Sequence, residues 1–325
     1  MVIAKRKTIL ICSLYLLFNL GCAPKVKESY DEKEGYAGSI SVSGAFALYP
    51  LVILWSEDFK KLNPKVRFNI SAGGAGKGIA DVLTNMVDIG LVSRDLHVQE
   101  TERGAFPIVV AKDAVIATIN SEHPNIQLIK ERGLKRQEFI DLFINQKYKN
   151  WNDLDSRFIK QPVEVFVRSD AAGAAETWAK YLGQSQEDLK GIGIFGDPGL
   201  AQSIKDNKLA IGFNNINYVY DIVNKKTSAN ITVVPLDINE NGKIDAEENF
   251  YDHLDSLVNA VSKKVYPSPP SRDLLFVIQK DNSSPLVKAF IAFVLEKQQQ
   301  AILLPNGYVP LNEEIKNKEL EKLSK

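Results

Sequence analysis

Between Phe68 and Ala80 the chain reads Phe-Asn-Ile-Ser-Ala-Gly-Gly-Ala-Gly-Lys-Gly-Ile-Ala, and four of the six residues from Gly73 to Gly78 are glycine. A β-rich run that ends in such a turn and leads into an amphipathic stretch points to a strand–turn–helix unit. It leaves backbone N–H groups uncovered at a helix N-terminus, where unpaired donors and the positive end of the helix dipole attract anions. A nucleotide P-loop is excluded. The pattern GxxxxGK[ST] needs glycine five residues before Gly76, where Ser71 stands, and a hydroxyl after Lys77, where Gly78 stands. Taken alone, the segment also reads as a close-packing turn.

The surrounding pattern is α/β. Ser39–Ser43 alternates like a strand, Leu48–Asn63 repeats apolar residues at helical spacing, and Val66–Ile70 is a second strand ahead of the glycine turn. Asp88–Val92, Phe106–Val110 and Ala114–Ile119 read as three more strands. Strands alternating with helices imply parallel packing, and ligands of open α/β sheets sit beyond the carboxyl ends of the strands. Gly44–Leu48, Gly73–Gly78 and Ser93-Arg94 are therefore expected to converge.

A second α/β region follows, with a helix over Arg136–Phe143, a turn at Tyr148–Asp153 and a strand over Val163–Val167. That strand runs into Arg168-Ser-Asp-Ala-Ala-Gly-Ala-Ala-Glu-Thr177, another small-residue turn, now carrying an arginine. Arginine presents a planar fork of donors suited to tetrahedral oxyanions, and Asp170 is placed to fix it. Arg168 paired with Asp170 as a simple surface ion pair is the other reading. Further strands are expected at Ile211–Phe213, Ile231–Val234 and Asp273–Gln279, a helix over Leu286–Leu295, and an extended tail over Gly307–Leu311. Two loops of one chemical type, one per region, suggest a ligand clamped between two lobes.

At 325 residues with 45% hydrophobic content, the chain can bury a large core and divide into two lobes. Lys5, Arg6 and Lys7 precede an apolar run, Thr8–Leu20, closed by Gly21-Cys22, as in a secretory signal with a lipoprotein cleavage site. The segment resembles a bacterial lipobox, which makes Cys22 the lipidated first residue of a protein on the outer side of a bacterial membrane. Cys12 lies in the leader, so no internal disulfide is expected. Residues 22–38 read as a charged tether. Removing residues 1–21 takes three basic and no acidic residues from 40 Lys+Arg, leaving 37 against 40 Asp+Glu. That balance argues against a nucleic-acid partner, which would require a basic footprint.

Six segments in order resemble the phosphate-binding, substrate-binding proteins of ABC transporters: Ser43–Leu51, Gly73–Gly76, Val87–Gly90 with Ser93-Arg94, Asn150–Asp153, Arg168–Gly173 and Gly307–Leu311. The resemblance implies a bilobal periplasmic-binding-protein fold with a two-crossing hinge near Ile119 and Ser271. Residues 39–119 with 271–325 would form one lobe and residues 120–270 the other. It places ligand contacts at Ala45, Phe46, Ala47 and Leu48, at Ala75 and Gly76, at Ser93 and Arg94, and at Arg168, Asp170, Ala172, Gly173 and Ala174. Where the family offers Ser or Thr, this chain has Ala75, Ala172 and Ala174, so backbone N–H groups are left as the main donors. Ser93-Arg94 stands where some members carry a carboxylate that accepts the proton of hydrogenphosphate. The implied role is capture of an oxyanion, phosphate first and sulfate, molybdate or tungstate as alternatives, by a monomeric lipoprotein that delivers it to a membrane permease. A sensor or scaffold that keeps the fold is the other binding-class reading. An enzyme is disfavoured, because His97, His123 and His253 are scattered and neither a nucleophile motif nor a metal cluster is evident.

A second motif is independent of this one. Asp237-Ile-Asn-Glu-Asn-Gly-Lys-Ile-Asp-Ala-Glu-Glu248 fits the twelve-residue calcium loop. Asp237, Asn239, Asn241, the carbonyl of Lys243, Asp245 and Glu248 are the expected ligands, with Gly242 at the sharp turn. What precedes it is a strand, so a single structural calcium site that braces the second lobe is expected rather than a paired sensor.

Overall fold

The computed structural model describes residues 28–280 and 283–324. The expected leader and Cys22 lie outside these residues. Ten strands form one continuous sheet: β1 (Ser29–Asp31), β2 (Gly35–Gly44), β3 (Lys65–Ala72), β4 (Ile89–Val92), β5 (Ala105–Ile119), β6 (Glu164–Arg168), β7 (Ile192–Ile194), β8 (Ala210–Asn215), β9 (Thr232–Val233) and β10 (Ser271–Gln279). The path runs β1-β2-β4-β10-β5-β8-β6-β7, with β3 beside β2 and β9 beside β5.

Parallel pairing is confined to the two ends. β2 runs parallel to β3 and β4, and β6 parallel to β7 and β8, whereas β10 is antiparallel to β4 and β5, and β5 to β8. The sheet is thus mixed rather than parallel throughout. The two strands expected at Phe106–Val110 and Ala114–Ile119 are one, because Lys112 and Asp113 continue the strand and meet Asp273 and Arg272 across from them on β10.

Two hydrophobic cores flank this charged waist. One holds Ile40, Trp55, Val110, Ala111, Phe276 and Phe290; the other holds Ala114, Ile116, Phe143, Trp178, Phe213 and Tyr266. On β5 the first core ends at Ala111 and the second begins at Ala114, upstream of Ile119; on β10 the first resumes at Leu274. Apolar side chains gather on either side, and only paired charges and Ser271 lie between. Val309 pairs with Lys112 in both directions, at 3.0 and 2.9 Å, so part of the expected extended tail joins the waist.

Of the residues expected as a tether, 28–38 are part of the fold, and 22–27 lie outside the described residues. β1 forms an antiparallel hairpin with β2, registering Ser29 with Ala37, and Glu28 accepts the N–H of Leu286 at 2.6 Å. A charged, exposed edge strand carries no apolar alternation, which is why its composition resembles a linker. A further helix, Glu313–Ser324, follows the segment expected to end the chain as an extended tail.

Candidate functional site

The loops expected to converge, Gly44–Leu48, Gly73–Gly78 and Ser93-Arg94, and the turn that begins at Arg168 lie at carboxyl ends of strands. β2 ends at Gly44, β3 at Ala72 and β4 at Val92 on the first core; β6 ends at Arg168, β7 at Ile194 and β8 at Asn215 on the second. The helices that follow β3 and β6 begin at Gly74 and Gly173, and the first N–H groups of each have no acceptor within their own helix.

These two turns touch. The N–H of Gly76 donates to the Ala171 carbonyl at 3.0 Å. A Cβ at Gly74, where φ is +84°, would stand 2.8 Å from both the Ala171 carbonyl and Asp170 Oδ2. A Cβ at Gly173 would collide with the Ser93 hydroxyl and carbonyl, so glycine is required where the turn after β6 meets the end of β4. Phe46 reaches across from the first loop. Its ring lies 5.4 Å from the Arg168 guanidinium carbon and edge-on to Phe195 at 6.2 Å, and its carbonyl accepts the Tyr218 hydroxyl at 3.0 Å.

Arg168 is buried, its side chain 1% exposed, and sits among carboxylates. Nε and Nη2 donate to Asp170 at 2.8 and 2.5 Å, and Nη1 donates to Asp197 at 2.5 Å. Burial works against the charged guanidinium, but Asp197 and Asp170 outweigh it and raise its pKa. The surface ion-pair reading is therefore excluded. Three of the five guanidinium N–H groups are thus engaged within the protein.

The other expected contacts divide. Ala75, Gly173 and Ala174 are buried in first helical turns at the junction. The N–H groups of Ala45 and Ala172 are engaged instead, by the Leu91 carbonyl at 2.8 Å and Gln186 Oε1 at 3.1 Å. Ala47 and Leu48 lie in the first core, and the Ala47 carbonyl accepts the Tyr308 hydroxyl at 2.8 Å. Ser93 is buried against Gly173. Arg94 is turned to carboxylates: both oxygens of Glu100 at 2.9 and 2.7 Å, and Glu176 at 3.1 Å. Burial pushes the Glu176 carboxyl up despite Arg94.

Sequence reasoning missed Asp197, Tyr218 and Glu176. Asp197 follows β7 and Tyr218 follows β8, both ends of strands parallel to β6. The signal that could have found Asp197 is the Gly196-Asp-Pro-Gly199 turn after an Ile-Gly-Ile strand.

The calcium-type loop is folded as a turn around its own side chains. Asp237 accepts the N–H groups of Asn241 and Gly242, and Glu248 accepts those of Ile238, Asn239 and Asp245. Asp237 and Glu248 are 2% and 5% exposed. Asp245 is bound by Lys243 Nζ at 2.7 Å and by the amides of Asn239 and Asn241, which hold its acid at about 2. Among the described residues no group of three or more His, Cys, Asp or Glu side chains converges to hold a metal.

A family model described as a PBP superfamily domain matches residues 31–298. The chain belongs to the PBP superfamily. Within that superfamily it is similar to the phosphate-binding protein PstS of Pseudomonas aeruginosa, 25% identical over 321 residues that cover 90% of each chain. It is also similar to the phosphate-binding protein PstS of Bacillus subtilis, 28% identical over 195 residues, 60% of this chain and 62% of that one. Among solved structures, a Clostridium perfringens protein described as a phosphate ABC transporter substrate-binding protein, with bound phosphate, superposes with a TM-score of 0.69. It is 23% identical, over 84% of this chain and all of that one. An ABC-type phosphate transport receptor of Vibrio cholerae gives 0.60 at 18% identity and the same coverage. These structural likenesses establish the bilobal PBP fold expected from the sequence.

Proposed function

We propose that the chain is an extracytoplasmic solute-binding protein that captures an inorganic oxyanion, phosphate first, between its lobes and delivers it to an ABC permease. One observation carries the reading: two helix N-termini, from loops on separate cores, meet beside a buried arginine. Backbone N–H groups and a guanidinium are what an oxyanion requires. Relatives named as phosphate-binding proteins over most of the chain's length support phosphate as the ligand. Lobe closure on a waist of few strands supplies the capture step. The two cores support two lobes but put the crossing on β5 at Lys112–Asp113 rather than near Ile119, so we place residues 114–119 with 120–270 in the second lobe and residues 39–111 with 274–325 in the first, with Lys112–Asp113 and Ser271–Asp273 at the bend.

The test is calorimetric titration of the mature protein with phosphate, sulfate, molybdate and tungstate. One phosphate per chain is expected. Absence of heat with all four would remove the transport reading and leave the sensor or scaffold, which the alanines at positions 75, 172 and 174 and the two carboxylates on Arg168 favour.

Two further assignments belong to this reading. Cys22 is proposed as the lipid-bearing residue that holds a monomer at the membrane; Cys22→Ser should move the protein from the membrane to the soluble fraction. Asp237–Glu248 is proposed to hold one calcium ion through Asp237, Asn239, Asn241, the Lys243 carbonyl, Asp245 and Glu248. The support is chemical: every donor is oxygen, and Asp237 and Glu248 are buried carboxylates with no ion pair to lysine or arginine among the described residues.

A further inference from the structure

We propose that the end of the first lobe formed by the Gly35 turn and the last turn of the helix Tyr49–Leu62 rests on the bilayer surface, with Tyr30 and Leu62 in contact with lipid. The inference rests on the reading of Cys22 as the lipid-bearing residue, and it assigns a surface that this reading leaves open.

The patch is built around one turn. Tyr30 of β1 registers with Tyr36 of β2, their ring centroids lie 4.8 Å apart, and Tyr36 packs in turn against the first core. Tyr30 is nonetheless 62% exposed. Leu62 ends its helix beside the same turn and is 65% exposed. A Cβ at Gly35, where φ is +74°, would stand 2.9 Å from the Leu62 carbonyl, and the Asn63 side chain accepts the Tyr36 N–H at 2.8 Å. A lone exposed leucine or tyrosine is ordinary on a protein surface. Here the two flank a turn that only glycine permits, so the fold itself sets them side by side.

Place in the chain names the occupant. Glu28, which accepts the Leu286 N–H at this end of the lobe, is six residue steps from Cys22. A lipid on Cys22 would hold the patch against the bilayer, at a local concentration that lets a weak contact form. The side chains suit that neighbour: tyrosine rings favour the headgroup level of a membrane, and leucine enters the boundary with the acyl chains. Charge does not drive the contact. Lys60, Lys61 and Lys65 are paired with Glu57, Asp58 and Glu34, and the turn adds Asp31 and Glu32 beside Lys33, so no basic cluster is left for anionic headgroups.

The contact also has a direction. The Gly35 turn lies at the amino end of β2 and the candidate site at its carboxyl end, and the ten residues between them span about 30 Å. With the patch on lipid, the cleft opens away from the bilayer. This is a waiting pose, and delivery to a permease requires its release.

The experiment uses the full chain purified from membranes, its lipid verified by mass, in phosphatidylcholine vesicles that carry a headgroup quencher. Cys22 is the only cysteine after the leader, so Glu32→Cys beside the patch, or Val223→Cys at a 93% exposed position on the second lobe, takes a fluorophore alone. Quenching is expected to be about threefold greater at position 32 than at 223, and to fall about twofold when Tyr30→Ser and Leu62→Ser are added. Unchanged quenching in that double variant, shown to be folded by circular dichroism, overturns the proposal, because the short chain to Cys22 would then explain proximity by itself. Equal quenching at both positions overturns it too. High salt should leave the signal unaltered; its loss would give the contact to charge rather than to Tyr30 and Leu62. Light scattering of Cys22→Ser tests a second copy as the occupant: a monomer is expected, and a dimer that the double variant dissociates overturns the lipid contact. Wild type that carries no lipid by mass would remove the anchor reading, and this one with it.

Discussion

Arg168 occupies a site where its loss would leave Asp170 and Asp197 buried without their cation. Removing one partner of a buried pair typically costs about 3–5 kcal/mol, so Arg168→Ala is a poor probe of binding alone. Arg168→Lys keeps the charge but cannot bridge Asp170 through two donors and reach Asp197 with a third. A folded protein with phosphate affinity reduced at least tenfold is expected by calorimetry; unaltered affinity would mean that the guanidinium is structural. Arg168 and Asp170 were legible in the sequence because they are two residues apart at the end of one strand. Asp197 was not, since it joins them from 29 residues away through the parallel order of β6 and β7. His123 supplies a separate prediction. It is buried beside Trp151, its Nε2 unpartnered, and burial lowers its pKa from 6.5 to about 4. A depressed histidine favours the folded state fully above pH 6.5, and this contribution is lost as pH falls toward 4. The shift corresponds to about 3 kcal/mol. Denaturant titrations of wild type and His123→Phe should therefore converge or cross as the pH is lowered, with the wild type losing more.

Among the elements, the calcium-type loop is tied to the rest of its lobe at both ends. The Asp237 N–H donates to Leu134 and the Ile244 N–H to Glu131, at 3.0 and 2.8 Å. An ion in the loop would thus stiffen the segment that leads from the helix Ile126–Arg132 to Leu134. Calcium is expected to raise the melting temperature of the wild type by several degrees and that of Glu248→Gln by clearly less. Identical melting of both with calcium and with chelator would exclude the site. Position-by-position spacing made the turn itself, with Gly242 at positive φ, readable without any fold; calcium binding there rests on the melting experiment. The strand β1 and the helix Glu313–Ser324 were hidden for the opposite reason: one is exposed throughout, and the other is rich in charge, with Leu320 and Leu323 only partly covered. β5 was divided in the sequence reading because Lys112-Asp113 breaks an apolar run, and only β10 across from it explains why charges belong there.

Across the whole molecule, the lobes are held together by more than the turns at Gly73–Gly78 and Arg168–Gly173. Arg94 and Asp95, after β4, meet Glu176 and Lys180 on the helix after β6, at 3.1 and 2.6 Å. On the lobe-closure reading proposed above, these pairs would form only while the cleft is shut. Replacing both partners on one side, Glu176→Gln with Lys180→Ala, should enlarge the radius of gyration of the ligand-free protein in small-angle scattering. No change would mean that the junction of Gly76, Ala171 and Phe46 is sufficient to keep it closed. The two-lobe division was legible from two similar loops in one chain, whereas these cross-lobe pairs depend on geometry that no local pattern carries.

The hairpin formed by β1 and β2 also fixes a length. Glu28, the first of the described residues, stands six residue steps after Cys22, and six residues in any conformation span at most about 22 Å. With Cys22 lipidated, as proposed, the globule would be leashed rather than free to drift: the edge where Glu28 meets Leu286 stays near the lipid. Its encounters with a permease in the same membrane become a search in two dimensions. Occupancy of the transporter would then follow the surface density of the two proteins more than their affinity for each other.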